Sequence, residues 1–469
     1  MLGLFGTLSL GTRSLQTQRA GVEVAGQNLA NVNNPAYARQ RVTIQTSISV
    51  AGAMGPQGTG ADAVAIQQIR NTLLDRQIGS ELSVGGYLDA QQSALQYAQA
   101  DLGETVDRTS AAGADTVNSG LADDLNNLFA AFQSVSTSPT SLTERQLLLS
   151  RAQDLAAKFN ATSTRLTDLR DSMNTSLGND VTEANKLIND IADLNDQVIN
   201  AENSDGGVAN DLRDLRQSKL EELSKLVKVD ATISANGALN ISVNGNALVT
   251  DRDVNDTFQT YDAGGGQMMV QLATAGTPLA LSGGHMQGVI DVRDGTLTTL
   301  TNKLDTLAGA LISEVNAAHG GGFGLNGSTG VAFFNGTDAK TISVNGALLG
   351  DPSLVQISGV SGNKGDNQVA LALAQISDKK LPALNGLSIT QQYSATVAEL
   401  GQSLSSVNGR ISDQAAVAKM LTAQRSSISG VSVDEEMTDL MRFQKAFEAS
   451  AKLITTVDEM LETLVNLKR

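Results

Sequence analysis

The chain has no cysteine and no tryptophan among its 469 residues, and only 3% of it is aromatic. Without cysteine there is no disulfide, no thiolate nucleophile and no Cys-ligated metal. The two histidines, His285 and His319, stand in separate segments with no HExxH, which closes the zinc-peptidase route. Six prolines against 45 glycines indicate tight turns between regular elements instead of Pro-rich linkers. Positive charge is also scarce: 33 Lys and Arg against 49 Asp and Glu leave a net charge of −16. No basic run exceeds two residues, so there is little to neutralise a phosphate backbone, and a nucleic-acid partner is not expected. No apolar stretch approaches the roughly 18 residues of a membrane-spanning helix, so no membrane insertion is expected. The first residues lack the basic and continuous apolar regions of a cleaved signal peptide.

What is present is aliphatic. A hydrophobic share of 41% built from Leu, Val, Ile and Ala suits closely packed helices. The C-terminal stretch is the most regular. Leu440, Phe447, Ile454 and Leu461 recur every seven residues, and Phe443, Ser450, Val457 and Leu464 repeat that spacing three residues on. This is the a/d pattern of a coiled-coil helix, with one polar interruption at Ser450. Ser432 with Glu435 forms a capping-box start, and Asp434, Glu435 and Glu436 suit the positive end of a helix dipole. At the other terminus Leu8, Leu15, Val22 and Leu29 keep the same spacing, with Leu4, Gly11, Gln18, Ala25 and Val32 interleaved, until Asn33-Asn34-Pro35 stops the helix. Residues 1–60 carry four arginines and one acid, whereas residues 431–469 carry eight acids and five bases. A shared period and opposite sign predict that the two ends pair, antiparallel or bundled. Two narrow seams bury little against the cost of ordering about 65 backbone residues at ~1–2 kcal/mol each. The ends are therefore expected to be mobile in the free chain and to be completed by partner surface.

Between the ends, a helical pattern is expected from about Ala61 to Glu104, then a loop around Gly113 and a helix that Ser138-Pro139 terminates. Ser141 with Glu144 opens a long helix to about Asn200, interrupted at Gly178, and a further helix follows through Leu212–Val227. The texture then alternates, with hairpin signals at Asn236-Gly237 and Asn244-Gly245. Helix returns from Met286 to Ala318; a Gly-rich loop with short strands and two more helices lead to the C-terminal seam. The fold class is α+β, mostly α, with nested, discontinuous domains. These are a terminal coiled-coil domain (1–60 plus 428–469), a helical bundle with short β segments (61–228 plus 286–427) and an inserted β domain (229–285).

Catalytic chemistry finds no foothold. Gly322–Gly327 spells GxGxxG, but a helix precedes it and β-rich residues follow, the inverse of a dinucleotide site. Asp251, Asp253 and Asn255 imitate an EF-hand start, yet Asp256 occupies the glycine position and Asp262 replaces the twelfth-place glutamate. No GxSxG or P-loop occurs, and the carboxylates are accounted for by solvated helix faces. No catalytic residue, cofactor or metal ligand is expected. The rival reading is a cytoplasmic enzyme or ligand-binding protein with a coiled-coil clamp and a site near Gly322, which a stoichiometric bound nucleotide or metal would favour.

The segment Leu29–Tyr37 carries Ala30, Asn31, Pro35 and Tyr37 and resembles the Ala-Asn-x-x-Thr-x-Gly-Tyr motif of the axial proteins of the bacterial flagellum, with Asn34 and Ala36 in place of threonine and glycine. Ser429–Glu436, carrying Gly430, Asp434, Glu435 and Glu436, is similar to the hook-associated branch of that family at the hook–filament junction. Gln444–Lys452, Asp458–Leu461, Leu212–Val229 and Leu281–Arg293 agree. The Ser429–Glu436 signature and the long central helices set the chain apart from the hook subunit; the third hook-associated protein is the other alternative within the family. The resemblance implies a non-catalytic structural protein, exported unfolded through the flagellar type III channel. It further implies an export chaperone on the C-terminal segment before export, then assembly outside the cell as a helical ring between the hook subunit and the next hook-associated junction protein. Matching period and opposite charge make the pair of seams the expected assembly surface: Leu4, Leu8, Leu15, Val22 and Leu29 with Leu440, Phe443, Phe447, Ile454, Val457, Leu461 and Leu464.

Overall fold

A computed structural model of the chain describes residues 3–52, 55–103 and 120–466. The loop expected around Gly113 and the basic end at Lys468 and Arg469 lie outside the described residues. Helix α1 (Leu4–Ala30) leads through a turn into a long antiparallel hairpin, β1 (Gln40–Thr46) against β4 (Ala61–Gln68), tipped by β2 (Ser49–Gly52) against β3 (Gly55–Gly58). The register pairs Gln40 with Gln68 and Thr46 with Ala61, with an irregularity at Thr43/Ile44. This corrects two expectations: residues 61–68 are strand, not helix, and the N-terminal unit holds a hairpin as well as a helix. The physical start of the next helix is Asn71, whose side chain accepts the Leu73 and Leu74 N–H groups at 3.1 and 3.3 Å.

Helices α2 (Thr72–Leu102), α3 (Leu121–Thr137), α4 (Leu142–Asp205) and α5 (Asn210–Leu226) follow. Ser141 caps α4 by accepting the Glu144 N–H at 3.2 Å. Gly178 does not interrupt it: the helix runs for 64 residues, roughly 96 Å at 1.5 Å per residue. Gly206, in the left-handed conformation at φ 67°, ends it. Strands β5 (Asp230–Ile233), β6 (Leu239–Val243), β7 (Asn246–Thr250) and β8 (Asp253–Val254) form an antiparallel sheet in chain order, and β9 (Phe258–Asp262) pairs with β10 (Met268–Leu272). Asn244 and Gly245 both take positive φ, 49° and 82°, as a two-residue hairpin between twisted strands requires. Helix α6 (Gly284–Asp291) continues through a π turn (Val292–Leu297) into α7 (Thr298–Gly320). The remaining elements are β11 (Phe334–Asn335), β12 (Ser343–Val344), α8 (Gly346–Gly350), α9 (Gln368–Ala374), α10 (Ile389–Ser429) and α11 (Val433–Asn466).

One apolar core runs through α2 to α9, strands β6, β7 and β9 to β12, and the first half of α10. Residues 320–365 join it: Phe333 and Phe334 are fully buried, and the Phe333 ring lies 5.4 Å from Phe132 and 5.2 Å from His319. Helix α4 holds the non-helical excursions by asparagines. Asn160 donates to the Ala339 carbonyl (2.9 Å), Asn174 to Gly266 (3.0 Å), Asn185 to Phe258 (2.8 Å) and Asn195 to Leu239 (2.9 Å). Buried Arg293, in the π turn, reaches Asn174 at 2.8 Å and the Met268 carbonyl.

The residues that imitated ligand sites have other work. Phe323 exchanges backbone hydrogen bonds with Ser358 at 2.8 and 3.3 Å, so the glycine-rich loop is closed by its own chain. The Asp256 carboxylate accepts the N–H groups of Thr257, Thr274 and Ala275 at 2.7–3.0 Å and so fixes a turn. His319 is buried, its Nδ1–H donating to the Val331 carbonyl (2.8 Å) and its Nε2 accepting the Gln356 N–H (2.9 Å). Burial pulls its pKa down to about 4, so it is neutral.

Candidate assembly interface at the chain ends

Helices α1 and α11 pack antiparallel with their heptads in step. Asn28 meets Glu436, Gly21 meets Phe443 and Ser14 meets Ser450, so each advance of seven on one helix is answered by seven on the other, and about one turn further Gly11 meets Ile454. The approach is close. A Cβ on Gly21 would lie 2.5 Å from the Phe443 ring, and one on Gly11 would lie 2.7 Å from Ile454. The hairpin covers the adjoining flank of α1, through Thr17 Oγ1 to the Ala61 carbonyl (2.8 Å) and Arg13 to Asp62 (3.6 Å). At that separation from α11 there is no room for leucine on the closest face of α1.

The buried line of α1 is accordingly Gly11, Thr17, Gly21, Val24, Ala25 and Asn28. Leu4, Leu8, Leu15, Val22 and Leu29 are half-buried and flank it. On α11, Val457 and Ser450 are buried, and Leu440, Phe443, Ile454 and Leu461 are half-buried. Phe447 and Leu464 are 39% and 54% exposed and lie outside the packed strip. The signal that marks the α1 face is the recurrence of small and polar residues at Gly11, Ser14, Gly21, Ala25 and Asn28, which a search for leucines passes over.

The motif turn closes the pair at one end. Asn34 Oδ1 accepts the Ala36 N–H (3.1 Å) and its carbonyl accepts the Tyr37 N–H (3.2 Å), while Asn31 ties back to the Gln27 carbonyl (3.0 Å). Ala30 and Pro35 remain exposed on the turn. The turn delivers Tyr37 to buried Asn28, whose Oδ1 accepts from the Tyr37 hydroxyl (2.8 Å) and the Gln40 N–H (3.0 Å). Asn28 Nδ2 donates to the Gln40 carbonyl and to Glu436, both at 2.9 Å, so all of its hydrogen-bonding capacity is used. Arg39 pairs with Glu435 (2.6 Å) and Glu436 (2.7 Å), with Asp439 at 3.9 Å. Burial, reinforced by Asp211, Asp214 and Glu436, pushes the Tyr37 phenol well above its ordinary range. The Arg39 N–H donates to the Ser429 carbonyl (2.9 Å), and Gly430 has no room for a side chain against Ser426. Asp434 is exposed in the first turn of α11, where its charge suits the helix dipole.

Polar contacts also seat this unit on the helical domain. Asp214 pairs with Arg70 (2.6 Å) and accepts the Ala38 N–H (3.1 Å), while Asp211 accepts from Gln27 and Gln40, both at 3.0 Å. A cleft of about 450 Å³ lies beside the seat, walled by the motif turn, Arg70, Glu221, Arg425 and Gly430. Among the described residues no group of three or more His, Cys, Asp or Glu is placed to hold a metal ion. Asn28, Arg70, Asp211 and Asp214 were missed by pattern reading, because a single polar residue on a helix or in a short link carries no periodic signal.

Residues 106–334 match the family model described as the flagellar hook-associated protein FlgK helical domain, and residues 422–467 the one described as the flagellar basal body rod FlgEFG protein C-terminal. Flagellar hook-associated protein 1 of Bacillus subtilis (strain 168) is 26% identical over 514 aligned residues, covering 99% of both chains. The chain belongs to the flagellar hook-associated protein 1 family. Its Escherichia coli (strain K12) relative is 23% identical, over 97% of this chain and 98% of that one. The solved flagellar hook junction protein FlgK from Burkholderia pseudomallei shares the fold, with a TM-score of 0.60 at 17% identity over 76% of this chain and 100% of that one. A shorter likeness joins this hook-associated protein 1 family member to the hook protein FlgE of Helicobacter pylori (strain ATCC 700392 / 26695), 32% identical over 165 residues, or 33% of this chain and 21% of that one. The chain is thus a structural protein of the flagellum, related to its axial components.

Proposed function

We propose that the chain joins hook to filament as a non-catalytic adaptor, assembling through the α1–α11 unit into a helical ring between the hook subunit and the next junction protein. The observation that carries this reading is the unfinished surface of that unit. Phe5, Met441, Met460, Leu464 and Val465 are each more than half exposed around the packed strip, and among the described residues the unit adds no side chain to the continuous core of the helical domain. Exposed apolar surface of this extent on a structural protein marks contact with neighbours. The same conditional character fits passage through a type III channel as an unfolded chain, with a chaperone on the C-terminal segment beforehand and an extracellular destination.

The test is the double substitution Phe443→Asp with Ile454→Asp. It is expected to abolish incorporation into flagella and motility while the helical domain keeps its unfolding transition. Normal filaments in that strain would refute the reading. Amide exchange on the free chain supplies a second check: α1 and α11 should exchange fast as monomer and slowly once assembled.

A further inference from the structure

Seven Asn-Gly dipeptides occur in the chain, at 236, 244, 326, 335, 345, 385 and 408. Asn-Gly is the pair most prone to lose its side-chain amide, because glycine offers no Cβ to hinder approach of its own nitrogen to the asparagine Cγ. Two restraints oppose that approach: hydrogen bonds that hold the asparagine side chain, and a hydrogen bond that occupies the glycine N–H.

The fold supplies one or both at six of the seven. Asn236 is held from both ends, donating to Asp251 (3.0 Å) and accepting the Ala238 N–H (3.1 Å), and the Gly237 N–H donates to Ser234. Asn244 donates to the Ala280 carbonyl at 2.6 Å. Asn326 accepts the Ser328 N–H (2.9 Å) while the Gly327 N–H donates to Gly324 (3.0 Å). Asn345 caps α8 through the Ala347 N–H and donates to Ala332 (2.9 Å). The Gly386 N–H after Asn385 donates to Leu381 (3.0 Å). Asn408 lies inside α10 and accepts from Gln92 (2.7 Å).

Asn335 differs. It is exposed at the end of β11; among the described residues its side chain finds no hydrogen-bond partner, and the N–H of the exposed Gly336 meets no acceptor. We infer that Asn335-Gly336 is a self-modifying site of the folded protein. The Gly336 nitrogen attacks Cγ of Asn335, the C–N bond to the side-chain amide breaks, and ammonia leaves with the proton. Water then opens the resulting five-membered imide at either carbonyl, giving aspartate or isoaspartate, so that one water is consumed for each ammonia released. The isoaspartate product adds one backbone carbon where the turn is tightly packed. Gly336, at φ 93°, has no space for a side chain against Thr341, and Asn316 Oδ1 holds the N–H groups of Phe333 and Phe334, both at 2.8 Å, just before it. Either product also adds a negative charge near Asp338, which fixes the Thr341 end of the same turn (2.9 Å). Modification should therefore loosen the seat of Phe333 and Phe334 in the core.

The test is incubation of the intact chain at mildly alkaline pH, followed by peptide mapping for the gain of about 1 Da that marks amide loss. Position 335 is expected to react before the other six in the folded protein, whereas in denaturant all seven should react together. A different Asn-Gly reacting first in the folded chain would overturn the assignment. So would an unchanged Asn335 while the denatured control reacts. Asn335→Gln should remove the early product alone; an early mass gain that persists in that variant also rejects the proposal.

Discussion

The helical domain and the terminal unit are both built mainly from helices, yet they are held together differently. The domain buries Phe132, Phe159, Phe333 and Phe334 completely in a continuous apolar core. The terminal unit contributes no residue to that core; it relies on small residues brought close, on the Asn28–Glu436–Arg39 cluster, and on polar contacts to Asp211 and Asp214. Burial scales with apolar area and tolerates imprecise neighbours, whereas a polar cluster contributes only when every partner is in place. The first arrangement gives a body that stands alone. The second gives an element that forms or comes apart as a unit.

The sharpest way to break this contrast is in the core. Phe159→Ala should cost roughly 3–5 kcal/mol, seen as a lower denaturant midpoint for the helical domain; Phe443→Ala should leave that midpoint unchanged. Acid should act next. His319 has a folded pKa of about 4 against an ordinary 6.5, so the unfolded chain binds the extra proton first. Stability supplied by its neutral form is present above pH 6.5 and is lost as pH falls toward 4, about 3 kcal/mol in all. Chemical denaturation across that window should show the slope, and His319→Gln should reduce it. In the terminal unit, Gly21→Leu would drive a side chain into the Phe443 ring at a cost of roughly 1–3 kcal/mol. Limited proteolysis should then cut within α1 and α11 while the domain stays intact; unchanged digestion would contradict the close packing there.

The smallest effect concerns His285, whose pKa is raised by its 2.6 Å hydrogen bond to Asp180, working against desolvation. Its contribution is complete below its unfolded value and fades as pH rises through the higher folded value. His285→Gln should flatten the alkaline side of the stability profile. The two histidines therefore slope in opposite directions and leave a maximum between them.

Much of this was legible in the sequence. The pairing of the ends followed from their common period and opposite charge, and the asparagine–glycine turns marked the β insertion. The face of α1 was not legible, because Leu8, Leu15, Val22 and Leu29 outweigh Gly11 and Gly21 in any hydrophobic count, although α11 approaches most closely at the glycines. Strand β4 was absorbed into α2 because Ile66, Ile69 and Leu73 also fit a helical stripe; only Asn71, a capping residue, marks the boundary. The π turn at Val292–Leu297 left no trace in the pattern, since its residues are ordinary helix formers apart from Gly295.

The asparagines of α4 carry one more consequence. They grip main-chain carbonyls, and every residue offers one of those whatever its side chain. Beyond the apolar residues buried in the shared core, these contacts are therefore indifferent to the spelling of what they carry. The outward faces of the β insertion can drift, or be replaced by a foreign loop of the same length, without renegotiating the attachment, which leaves the exterior free to diverge while the shaft stays the same.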